Sequence, residues 1–226
     1  MRFLSIAWLV VRKDLTVEVR SREVIYTTLF FAVACVLIFA FAFVKEGRAL
    51  GDAAAGILWI AVAFAGTLAL GRTFERERYS ETLRALLLAP APRPAVYVGK
   101  CLGVVLLLSA AELLLVPLIA LLFQAALFAR PVLMVALLAT GTIGFAAVGT
   151  LFAAMLVGSR SRDVLLPILL YPVTVPVIIA GVRGTAALLE ATPNEPLARM
   201  WIALLVAFDV VFVTIALWMF EPVMTE

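Results

Sequence analysis

The 226-residue chain contains no histidine. That absence removes the commonest metal ligand, the commonest general base and the usual haem axial ligand together. It has only two cysteines, Cys35 and Cys101, both inside apolar runs. Their placement gives neither a metal-ligand spacing nor a disulfide framework, so packing as small residues is their expected role. Charge is scarce at 15%, and a net charge of +3 with no basic tail leaves no footprint for nucleic acid. No Gly-x-x-x-x-Gly-Lys-Ser/Thr loop, His-Glu-x-x-His helix, Gly-x-Ser-x-Gly elbow or Cys-x-x-Cys pair is present. The motifs of nucleotide, metallopeptidase, serine-hydrolase and dithiol chemistry are therefore missing. The expectation is a chain with no catalytic residue, no metal ligand and no cofactor of its own.

What is there is apolar. Hydrophobic residues make up 65% and the mean hydropathy is +1.15, against roughly 45–50% apolar residues in a soluble domain. A water-soluble core cannot absorb that excess, so lipid is the expected solvent. A helix needs about 20 residues to cross a bilayer. Six stretches qualify, over about 24–44, 53–71, 101–129, 131–159, 164–182 and 200–220. The fold class expected is an all-α membrane protein, one transmembrane domain over 1–226. The two longest runs must tilt, kink or project from the hydrocarbon, and Arg130-Pro131 alone separates them, which predicts a very tight hairpin. Arg183 to Arg199 reads as a short external helix or partial re-entry ending in a turn.

Lysines and arginines set the orientation. The N-terminal segment, the 72–100 loop and the loop before the fifth span carry five, six and two of them, thirteen in all; the opposite side carries Lys45, Arg48, Arg130, Arg183 and Arg199. Both termini are therefore expected in the cytoplasm. Arg12, Lys13, Asp14, Glu18 and Arg20 interrupt any signal-peptide core. Instead, residues 2–22 place Leu4, Trp8, Val11, Leu15 and Val19 on one helical face beside Arg2, Arg12, Lys13 and Arg20. That pattern predicts an interfacial helix along the inner leaflet.

Three features carry candidate function. The 72–100 loop opens with alternating charges and then turns apolar at Leu83, Leu86 and Leu87. It reads equally as a contact for a cytoplasmic partner and as a solvated connector. Glu112 and Asp209 are carboxyls inside spans, where a charge costs about 2.5–3.5 kcal/mol. They suit either a proton relay or hydrogen bonds between helices, and the lack of histidine and of intramembrane Lys or Arg favours the second. Pro167, Pro172 and Pro176 in the fifth span, like Pro117 in the third, free backbone carbonyls and predict bending helices that kink or line a pathway.

The order of these features resembles the haem exporter protein B family, the membrane subunit of the ABC-type cytochrome c maturation system. The similarity lies in Gly56-Ile57-Leu58-Trp59; in Leu70-Gly71-Arg72-Thr73-Phe74 through Leu83 and Leu86-Leu87-Leu88-Ala89-Pro90 to Gly99-Lys100; in Pro117; and in Ser161-Arg162-Asp163-Val164-Leu165-Leu166-Pro167 with Pro172 and Pro176. Where the family loop has a Gly-containing turn, this chain has Ser80-Glu81-Thr82, which favours continued helix. The resemblance implies an ABC-2-type permease of the bacterial inner membrane, present in two copies. It implies a separate cytoplasmic ATPase that holds the ATP and docks on the loop, with Phe74, Leu83, Leu86 and Leu87 as its contact. It also implies haem as cargo of the complex rather than ligand of this chain, with haem-handling membrane proteins and a haem chaperone as partners. The alternatives are another ABC-2 exporter, for drug or glycan, a proton-coupled secondary transporter using Glu112 and Asp209, and a non-transporting scaffold.

Overall fold

A computed structural model of the chain describes residues 2–43, 51–73 and 92–223. Seven helices are found among the described residues, and no strand: α1 Arg2–Ser21, α2 Glu23–Phe43, α3 Gly51–Thr73, α4 Arg93–Phe123, α5 Pro131–Met155, α6 Arg162–Leu189 and α7 Glu195–Val223. Six of them, α2 to α7, are long and apolar enough to span a membrane. The chain is a multi-pass membrane protein, and α1 is the amphipathic exception.

The helix ends differ from the apolar runs for local reasons. α4 begins at Arg93 rather than near 101, because Ala95, Val96, Tyr97 and Lys100 are buried and extend the helix beyond its uncharged stretch. It stops at Phe123, where Gln124 takes a left-handed conformation at φ 51°, a helix-ending geometry uncommon for a residue with a Cβ. Residues 124–130 then form the connection, with Leu127 tucked into the core. The two-residue hairpin expected at Arg130-Pro131 is not what forms. α5 ends at Met155, short of 159. The short external helix or partial re-entry expected over 183–199 does not form as a separate element: residues up to Leu189 continue α6, because Gly184, Thr185, Ala187 and Leu188 pack inward, and the chain then bends through 190–194 into α7. α7 starts where the Asn194 side-chain oxygen accepts from the Leu197 N–H at 3.1 Å, an N-cap followed by Pro196 in the first turn.

α3 and α5 lie at the centre. Of their apolar windows 67% and 61% is buried, against 11% for α7. Glycines let them approach: Gly66 of α3 meets the Phe145 ring, and Gly149 of α5 meets Leu70. Small residues at such seams drive helix association in lipid, where no hydrophobic effect operates between helices. α4 closes one flank against α3 and α5, and α6 packs on α3, α5 and α7. α7 rests on α5 and α6, while α2 lies outside against α3 and α4. α1 crosses the end of α4 that follows the 74–91 segment, at Gly99 and Lys100, and this is the loop end of the bundle. Arg22, at φ 57°, turns the chain from α1 into α2, and Glu18 accepts from the Ile25 N–H at 3.0 Å in the first turn of α2.

Candidate functional site

Charged side chains tie the loop end together. Lys100 of α4 is only 2% exposed, and its ammonium meets Asp14 of α1 at 2.9 Å. The adjoining Gly99 lets α1 in: a Cβ there would fall 2.6 Å from the Val10 Cβ and 2.8 Å from the Ala7 carbonyl. Arg72, at the end of α3, pairs with Glu23 of α2 at 2.7 Å. Arg162, buried at the start of α6, donates to the Leu70 carbonyl of α3 at 3.0 Å. The Tyr97 hydroxyl of α4 donates to the Ala147 carbonyl of α5 at 2.9 Å. Five helices are thus fastened to one another, or to α1, around the two points where the 74–91 segment leaves and returns. Phe74, Leu83, Leu86 and Leu87 themselves lie outside the described residues. The sequence reading gives Arg72, Lys100 and Arg162 a topological role alone, and their contacts add a tertiary one.

The two intramembrane carboxyls both meet the middle of α5. Glu112 of α4 is buried and accepts a hydrogen bond from the Thr142 hydroxyl. Asp209 of α7 has Oδ1 enclosed without a hydrogen-bond partner, and Gly144 makes its space: a Cβ there would stand 2.6 Å from that oxygen. Thr142 and Gly144 are two residues apart, so they point about 200° apart around α5. The acids therefore reach α5 from different flanks and share no hydrogen bond. This geometry offers no direct hand-over of a proton between them, and it fits Glu112 as a helix-to-helix hydrogen-bond acceptor.

α6 runs through Pro167, Pro172 and Pro176 as one helix, and α4 runs through Pro117. Pro117, Pro172 and Pro176 lie on exposed faces. Each proline removes the N–H that would bond the carbonyl four residues earlier, which leaves Asp163, Ile168 and Pro172 of α6 without that partner. Beside this stretch the hydroxyls of Thr67 in α3 and Tyr171 in α6 meet at 3.2 Å. Toward the opposite end, the Trp59 indole N–H donates to Thr185 at 3.0 Å, and the ring lies between Gly141 of α5 and Gly181 of α6. There Glu195 also joins Arg130 at 2.6 Å and Arg199 at 3.5 Å. Among the described residues no three His, Cys, Asp or Glu side chains group as a metal site.

Comparison with known proteins covers nearly the whole chain. The family model described as CcmB protein matches residues 5–223. Heme exporter protein B of Pseudomonas aeruginosa is 30% identical over 188 residues, 83% of this chain and 83% of that protein. Heme exporter protein B of Rhodobacter capsulatus is 32% identical over 190 residues, 82% and 87% of the two chains. That of Paracoccus denitrificans is 32% identical over 180 residues, 78% and 82%. With a family match from residue 5 to residue 223 and relatives aligned along most of their own length, this chain belongs to the CcmB family.

Proposed function

We propose that this chain is the membrane subunit of an ABC-type exporter that serves haem export and delivery for c-type cytochrome maturation in the bacterial inner membrane. The observation that carries the reading is its membership of a family whose relatives bear the name heme exporter protein B over most of both chains. The subunit is non-catalytic. A separate ATPase subunit binds and hydrolyses ATP on the cytoplasmic side, where both termini and the 72–100 loop lie by the positive-inside rule. Phe74, Leu83, Leu86 and Leu87 form the contact through which it pushes. Two copies of an ABC-2-type fold make the permease, with haem-handling membrane proteins and a haem chaperone beside it. The exposed proline face of α6, with its unbonded carbonyls, supports a role for this helix against the second copy or along the cargo path, since such carbonyls are costly against lipid.

The fastened loop end supports the mechanical part of this reading. A push on the 74–91 segment acts on α3 and α4, and their contacts with Glu23, Arg162 and Asp14 pass it to α2, α6 and α1. Haem is cargo of the complex and finds its iron ligands on partner proteins: this chain has no histidine, the usual axial ligand, and Cys35 and Cys101 lie in apolar runs where a thiolate is costly. The test is deletion of the gene followed by haem staining of membrane c-type cytochromes. Loss of stainable cytochromes, restored by the wild-type gene only when the partner ATPase is active, is the expected result. Normal staining in the deletion strain would overturn the proposal.

A further inference from the structure

The charges of α1 are sorted by side. Its two acids face the bundle: Asp14 is held between Lys100 at 2.9 Å and Lys13 at 3.0 Å, and Glu18 accepts from the Ile25 N–H. Arg12 and Arg20 are exposed, and among the described residues neither pairs with a carboxylate. Between these sides runs an apolar strip of Leu4, Trp8 and Val19, 73%, 62% and 61% exposed. At about 100° per residue the three fall within roughly 60° of one another, bounded by Val11 on the bundle side and by Arg12 on the other. The predicted apolar face therefore divides. Val11 is buried against the bundle and Leu15 is half-buried, while Leu4, Trp8 and Val19 are turned outward.

An uncovered apolar strip edged by cations, with every acid turned away, has the chemistry of one surface: a bilayer interface carrying negative headgroups. Trp8 also suits that depth, because an indole settles at the headgroup boundary. Leu15, Thr16, Val19 and Arg20 line part of an open, largely apolar groove of about 500 Å³. We propose that α1 is a binding surface for anionic phospholipid, with Arg12 and Arg20 on the phosphates and Leu4, Trp8 and Val19 in the acyl region. The clasp of Asp14 by Lys100 then ties the loop end of α4 to the lipid composition of the leaflet. The inference rests on the reading that the loop end lies at a membrane surface, but not on which leaflet that is.

The test places the full-length protein in phosphatidylcholine nanodiscs. These contain an equal mole fraction of acyl-brominated phosphatidylglycerol or acyl-brominated phosphatidylcholine. The Trp8 signal is the difference between wild type and W8F. Brominated phosphatidylglycerol is expected to quench it about twofold more than brominated phosphatidylcholine, and R12Q/R20Q is expected to abolish that preference. Equal quenching in the wild type overturns headgroup selectivity. No quenching by either lipid shows a protein partner covering the strip and overturns the lipid assignment. A preference that survives R12Q/R20Q overturns the role of the two arginines. Both leaflets of a nanodisc are alike, so an error in sidedness leaves every arm readable and is detected separately by labelling in intact cells.

Discussion

Trp59 shows how single residues decide this packing. Its ring is buried, donates to Thr185, and lies where a Cβ on either Gly141 or Gly181 would have to stand. Gly181→Ala is expected to destabilise the purified protein by about 1–3 kcal/mol, an overpacking cost. Trp59→Phe in the same chain should recover part of that loss by clearing space, a coupling that thermal unfolding in detergent reads as non-additivity. Glu112 poses a different question. Glu112→Gln keeps an acceptor for Thr142, whereas Glu112→Leu removes it at about 0.6–1.7 kcal/mol, the range for hydrogen bonds between membrane helices. If the side chain only joins helices, the Gln variant should mature c-type cytochromes at the wild-type level. A Gln variant that is stable but inactive would point to proton exchange at this carboxyl. The sequence shows that Glu112 and Asp209 are intramembrane, but their partners depend on helix register. Thr142 and Gly144 lie 30 and 65 positions away, and no spacing rule along one strand of sequence reaches them.

At the level of elements, the loop end depends on the α1–α4 clasp. Lys100→Ala removes the buried half of this pair but leaves Asp14 partly exposed and still paired with Lys13, so the expected cost is that of one charge-assisted hydrogen bond, about 1.5–3 kcal/mol, rather than that of a stranded buried charge. The swap Asp14→Lys with Lys100→Asp should restore part of it. Limited chymotrypsin digestion at Trp8, a site that neither variant alters, gives the check: α1 should be cut readily in the single variant and more slowly in the swap. For α6, Pro172→Ala with Pro176→Ala returns two backbone N–H donors and stiffens the helix. Lower export activity at unchanged stability is expected, and wild-type activity would make the prolines incidental to transport. The six spans were legible because each is an apolar run near bilayer length. Their ends were not, because helix persists beyond the hydrocarbon wherever packing satisfies it, as at Ala95 to Lys100 and at Gly184 to Leu188. Lys100 and Arg162 were hidden for a related reason. Topology and tertiary pairing both place cations at that end, and a sequence does not distinguish the two.

For the whole molecule, thirteen cations against five predict that a C-terminal reporter active only in the cytoplasm will light up, and that one active only outside will not. Leu83→Asp with Leu87→Asp is expected to abolish co-purification with the proposed ATPase subunit while the protein still inserts. A complex that survives the double change would move the contact away from those leucines. The clasp also has a consequence for how the protein is made. Lys100 leaves the ribosome 86 residues after Asp14, which at roughly 5–20 residues per second is a wait of several seconds. Throughout that interval Ala7, Val10 and Asp14 have no α4 to meet, while α2 and α3 are already being threaded into the bilayer. α1, made ahead of α2, α3 and α4, thus waits for α4 before it finds its seat. Membrane affinity along Leu4, Trp8 and Val19 would keep it beside the nascent bundle until Gly99 and Lys100 arrive.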